Sequence, residues 1–270
     1  MDNIIKPIPF IKFKENKAFV ILATQRSGST MLCKDVHSLE VLGSPDEHFW
    51  PLLQKHDPNK TGEDFLQSFL INGNTTNSDY YSIKLMYDYL HKFGFWVSDR
   101  TLPFDQNTEY YRKYAINFFL ENFDDVKFVY LTRKNKFEQA LSHYRAVKTS
   151  VFHLVDTKEI RNVNITNPMN ENQLLESIDV NLFDRLYNKA TNEDQKLKEL
   201  IDEMGIKYVE LVYEEIRNDY PHYLYEMAKK MRIPLDESKY KERKIKKIVS
   251  DDFVLQFREK LKEVAQKEYI

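Results

Sequence analysis

The segment Phe19–Leu32, FVILATQRSGSTML, constrains this chain more than any other. The run Ala18–Thr24 is short, apolar and rich in β-formers, which suits a strand buried on both faces of a parallel sheet. Leu32, Val36 and Leu39 follow at spacings of four and three, which predicts a helix. Between the two lies QRSGST. A strand feeding a tight loop and then a helix N-terminus presents backbone N–H groups without helical partners and the positive end of a helix dipole, an anion site. Gly28 lets the backbone approach a ligand closely. Ser27, Ser29 and Thr30 add hydroxyls, and Arg26 adds a permanent, planar, multi-donor cation. The Gly-Lys pair of the nucleoside-triphosphate loop is missing, as is the G-x-G-x-x-G pattern.

A second buried strand is expected at VKFVYLTR, Val126–Arg133. The helix after it opens with Asn135 and Glu138 at capping-box spacing and carries Ser142. In doubly wound sheets ligands collect beyond the carboxyl ends of strands. Arg133 and the opening loop are therefore expected on one sheet edge, with Arg133 and Ser142 able to grip a second anion. Further strands are read at YYSIKLMY (Tyr80–Tyr87, a strand with a following turn), FGFWVSDR (Phe93–Arg100) and KYVELVYEEI (Lys207–Ile216, a strand and turn). Helices are read at Ala115–Phe123, at about Leu182–Met204 and from Asp251. The polar, Asn-rich stretch 156–181 reads as a long loop or lid. Strands alternating with helices argue for an α/β fold, a single P-loop-like domain over residues 1–270 with a central parallel sheet flanked by helices.

The bulk numbers narrow the function classes. With 42% hydrophobic and 14% aromatic residues, 270 residues are ample for one large core. A net charge of −2 gives no global field for nucleic acid or a membrane surface. Cys33, the single cysteine, excludes an intramolecular disulfide and a cysteine-rich zinc site, and no metal is expected. The first residues lack a signal-peptide core and no apolar run is long enough to span a bilayer, so a cytoplasmic protein is expected. On the residues alone, a nucleotide-dependent phosphotransferase and a non-catalytic nucleotide-binding protein both stay open. The absent Gly-Lys pair disfavours the first.

The loop TQRSGST followed by a strand–Arg–helix–Ser unit resembles the sulfotransferases that use 3′-phosphoadenosine 5′-phosphosulfate (PAPS), and within them the bacterial trehalose 2-sulfotransferase family. ATQRSGSTMLC, SPDEHF (Ser44–Phe49), IKLMY (Ile83–Tyr87) and LTRKNKFEQALSHYRAVKTSVFH (Leu131–His153) carry the likeness, in that order. The resemblance implies that Arg26, Ser27, Gly28, Ser29 and Thr30 hold the 5′-phosphosulfate, and that Arg133 and Ser142 hold the 3′-phosphate. The Arg133–Ser142 interval is one residue longer than the broader sulfotransferase pattern, so Lys134 shares candidacy with Arg133. Glu47 falls where the family places its general base, with Arg26 stabilising the leaving phosphate. His48 and His153 are rival bases or substrate contacts. Lys84 and Arg100, at expected strand ends, are candidates to touch sulfate or acceptor, or to pair with Asp88 and Asp99. The basic run 239–247 is a candidate to close over the 3′-phosphate. The expected acceptor is a hydroxyl of a carbohydrate, glycolipid or other small molecule, and a homodimer stays open.

Overall fold

The structure, a computed structural model, describes residues 13–49, 72–73, 78–98, 107–150, 170–236 and 250–268. The chain divides into two compact units, residues 1–132 with 193–244, and residues 133–192 with 245–270.

The first unit is built on a parallel sheet in the order β2-β1-β3-β4. Its strands are β1 (Phe13–Ala23), β2 (Tyr80–Met86), β3 (Phe123–Thr132) and β4 (Tyr208–Val212). Every residue from Ala18 to Ala23 is fully buried, as the unbroken apolar run demands of a central strand. Alternate side chains then go to opposite faces. Ala18, Val20 and Leu22, with Ile83, Leu85, Phe128 and Tyr130, pack beneath α2 (Tyr87–Val97), α3 (Thr108–Asn122) and Leu197, Leu200 and Ile201 of the long helix α6 (Val180–Glu203). Phe19, Ile21 and Ala23, with Val129, Leu131 and Leu211, pack beneath α1 (Ser29–His37) and α8 (His222–Met231). The short α7 (Tyr213–Ile216) follows β4 directly. An α/β fold with a parallel sheet flanked by helices is therefore observed.

The second unit is helical. α4 (Lys136–Thr149), α5 (Glu171–Glu176), the start of α6 and α9 (Asp251–Glu268) enclose Leu141, Tyr144, Leu174, Phe183, Phe253 and Phe257. The Tyr144 hydroxyl donates to Ser177 O at 3.1 Å and accepts from Asp179 N–H at 3.0 Å, so the aromatic core is also pinned by a polar bridge.

Three expectations need correcting. Phe93–Val97 is the last part of helix α2, not a strand; Tyr87, Leu90, Phe93 and Val97 turn inward at helical spacing. Within 170–181 the chain is mostly helical rather than loop. Asn170 and Gln173 close a capping box over α5, and α6 begins at Val180. The remainder of the expected lid, 156–169, lies outside the described residues, as does the basic run 239–247. Lys84 stands in the middle of β2, opposite Ile21 of β1, rather than at a strand end.

Candidate active site

β1 lies between β2 and β3, with Ala23 opposite Met86 on one side and Leu131 on the other. Such a reversal of strand order opens a crevice at the carboxyl edge, where α/β sheets receive ligands. The loop Thr24–Gly28 leaves β1 at this edge. Arg26 has φ 62° and Gly28 has φ 95°, both left-handed. That region costs a residue with a Cβ about 1–2 kcal/mol, and strained residues of this kind gather at ligand sites. Gly28 is also where the loop touches the chain after β4: a Cβ there would lie 2.3 Å from Tyr213 Cδ2.

The loop is braced rather than loose. Gln25 Nε2 donates to Asp88 Oδ2 at 2.7 Å, tying it to the first turn of α2. The Ser27 hydroxyl donates back to Thr24 O at 2.8 Å, and the Ser29 hydroxyl to Met86 S at 3.8 Å. Both hydroxyl protons expected to face a ligand are thus directed inward, while Thr30 is exposed on the first turn of α1. Gly28, the N-cap, supplies no side-chain cap to α1, and the first turn carries no acidic residue. The backbone N–H groups of that turn, with no intrahelical acceptor, make the start of α1 suited to an anion.

The segment Ser44–Phe49 runs against β2. Lys84 N–H donates to Asp46 O at 3.0 Å, and Phe49 stacks on Phe93 with ring centroids 4.7 Å apart. Lys84 Nζ meets Glu47 Oε1 at 2.8 Å and Asp46 Oδ1 at 3.8 Å. The Lys84 side chain is 1% exposed and that of Glu47 21%. An unpaired ammonium at such a depth would cost several kcal/mol, so the pairing explains how a lysine is tolerated inside β2. Burial opposes the Lys84 charge, but the carboxylates of Glu47 and Asp46 outweigh it and raise its pKa. Nearby Cys33 packs as a small apolar residue; burial pushes its thiol up to about 12. His48 is half-buried and its Nε2–H donates to Ser44 O at 2.8 Å. Burial holds its pKa below the ordinary histidine value.

In the second unit, Arg133 is buried and its Nη2 donates to Glu138 Oε2 at 3.0 Å. Ser142 is half-buried in α4, and Lys134 is exposed. Arg100 and His153 lie outside the described residues. Sequence reasoning missed Tyr213 and the Arg133–Glu138 pair, and it offered Asp88 as a partner for Lys84, whereas Lys84 pairs with Glu47 and Asp46 and Asp88 accepts from Gln25. It also missed Asp194, a buried carboxylate of α6 that accepts from the Thr132 hydroxyl at 2.7 Å at the end of β3. Only the five-residue spacing of Arg133 and Glu138 across a helix start offered a local signal.

Among the described residues no group of three His, Cys, Asp or Glu side chains is placed to hold a metal, and no helix is long and apolar enough to cross a membrane. No curated protein matches the chain. Among solved structures, the sulfotransferase domain of the Synechococcus PCC 7002 olefin synthase matches at 16% identity and a TM-score of 0.37, over 93% of this chain and 94% of that one. Residues 18–260 match the model of the Stf0 sulphotransferase family, a span that takes in the loop, the Ser44–Phe49 segment, β2, β3 and α4. With nearly its whole length matched, the chain belongs to the Stf0 sulphotransferase family.

Proposed function

We propose that the protein transfers the sulfuryl group of PAPS to a hydroxyl of a carbohydrate, glycolipid or other small molecule. The observation that carries this reading is the Thr24–Thr30 loop. Two left-handed residues precede a helix whose N-cap contributes no side chain, at the carboxyl edge of the sheet. In a chain of a sulfotransferase family, an anion cradle there fits the 5′-phosphosulfate.

The acceptor oxygen attacks sulfur in line, the bond from sulfur to the bridging phosphate oxygen breaks, and the acceptor proton passes to Glu47. Negative charge grows on the bridging oxygen. Arg26 and the N–H groups of the α1 start stabilise it, and preorganised donors of this kind contribute about 2.7–4 kcal/mol each. They supply the positive charge that magnesium supplies in many phosphoryl transfers. Arg133 and Ser142 hold the 3′-phosphate. His48, Arg100 and His153 are left to the acceptor side. A positioned base contributes about 10²–10⁴-fold. Glu47 is favoured over His48 because its carboxylate is paired with an ammonium and partly exposed, whereas one His48 nitrogen is committed to a backbone carbonyl.

Calorimetry with 3′-phosphoadenosine 5′-phosphate is the first test, with saturable binding expected below millimolar nucleotide. Absence of heat at millimolar nucleotide would remove the donor assignment. Glu47→Gln is expected to keep that binding and lower turnover by about 10²-fold or more; undiminished turnover removes Glu47 as the base.

A further inference from the structure

Lys84 is gripped at two points by the same short segment. Its N–H donates to Asp46 O at 3.0 Å, and its ammonium reaches past Asp46 to Glu47 Oε1 at 2.8 Å. β2 is hydrogen-bonded to β1 along its length, so the lysine's backbone is as fixed as any in the sheet. Its side chain leaves β2 on the face that also carries Tyr80, Ser82 and Met86. The Ser82 hydroxyl donates to Leu42 O on that face, tying down the chain just ahead of the acidic segment. With 1% of its side chain exposed, Lys84 has almost no surface to offer a substrate. Glu47 keeps 21%, enough for one carboxylate edge to face an acceptor. Tyr89 is buried nearby: burial first, and then the Glu47 charge, raise its hydroxyl well above the ordinary pKa.

A general base has to be ionised when the acceptor arrives and aimed at the proton it takes. An ammonium fixed in a strand and buried beneath the carboxylate takes up one oxygen, which orients the other. We propose that Lys84 is the positioning residue of Glu47, acting through that carboxylate and not on the sulfate or the acceptor. This inference rests on Glu47 being the base.

The test is a double-mutant cycle on the full chain with Lys84→Met and Glu47→Gln, using an acceptor that turns over. Lys84→Met is expected to lower kcat by about 10- to 10²-fold, the scale on which a misplaced catalytic group loses rate. KM for donor and the affinity for 3′-phosphoadenosine 5′-phosphate should be unchanged. In the Glu47→Gln background the same substitution should cost almost nothing, because no carboxylate remains to be aimed. A structural role predicts the same loss in both backgrounds, and that result overturns the inference. So does a wild-type kcat in Lys84→Met when Glu47→Gln is inactive. Full turnover by Glu47→Gln itself is a different failure, that of the base assignment. Lys84→Gln, which keeps a donor and loses the charge, is the second variant should Lys84→Met fail to fold. It is expected to fall between wild type and Met in kcat, and wild-type turnover by it likewise overturns the inference.

Discussion

The chain leaves two neighbouring strands by the same local route and finishes the two helix starts in opposite ways. After β1 the N-cap of α1 is Gly28, which brings no side chain, and the first turn holds no acidic residue. After β3 the N-cap of α4 is Asn135, whose side chain accepts from Glu138 N–H at 3.0 Å. The Glu138 carboxylate then accepts from Asn135 Nδ2 at 3.0 Å and from Arg133 Nη2 at 3.0 Å. The first start leaves its backbone donors without a side-chain cap, as an arriving anion would require. The second covers a donor with its own side chain and sets a negative charge in its first turn. In the proposed function the anion at the second start relies more on side chains, with Arg133 also paired to Glu138. One strand–loop–helix outline thus encodes two kinds of helix start, and the N-cap residue tells them apart.

Substitutions can break or sharpen this contrast. The largest effect is expected from Gly28→Ala, which puts a Cβ into Tyr213 at a left-handed position. A backbone cost of about 1–2 kcal/mol adds to an overpacking cost of about 1–3 kcal/mol. Thermal melting should show a marked drop; an unchanged melt would mean that the loop is not held as described. Next comes Arg133→Ala. A charge-assisted hydrogen bond is worth about 1.5–3 kcal/mol, so calorimetry should show the affinity for 3′-phosphoadenosine 5′-phosphate falling by about 10-fold or more. Asn135→Ala should act least, at about 1 kcal/mol of stability in a denaturant titration. Should Asn135→Ala weaken nucleotide binding as strongly as Arg133→Ala, the two starts would not differ in kind.

Legibility in the sequence followed the range of the interactions. β1 and β3 could be read because a central parallel strand needs apolar residues on both faces, and a continuous run such as Phe19–Leu22 leaves little alternative. The cap at Asn135 was legible because its partner is three residues away. Phe93–Val97 was misread because FGFWV is bulky enough for a strand and carries a glycine, which argues against a helix interior. Packing decided the matter: a Cβ on Gly94 would lie 1.7 Å from Tyr111 O, so glycine is what lets α2 approach α3 so closely. Lys84 was the harder case. Nothing near it in the sequence says that a lysine in an apolar strand is neutralised by a carboxylate from the segment before it. Glu47 stood out only through its family resemblance, since a single glutamate in a polar stretch has no periodicity to mark it.

The position of β1 has a consequence for how the chain must be made. Ala18–Ala23 leaves the ribosome before its partners do, as an apolar ribbon with two open hydrogen-bonding edges. Its partners come much later: Ala18 pairs with Tyr81 on one side and with Val126 on the other. One edge lacks its native neighbour until residues 80–86 have left the ribosome and the other until residues 123–132 have, and unpaired edges of this kind invite other chains. Non-local pairing of this sort also folds slowly. The strand from which the Thr24–Gly28 loop departs is therefore open to mispairing while the chain is made, and a chaperone that shields short apolar segments would protect it.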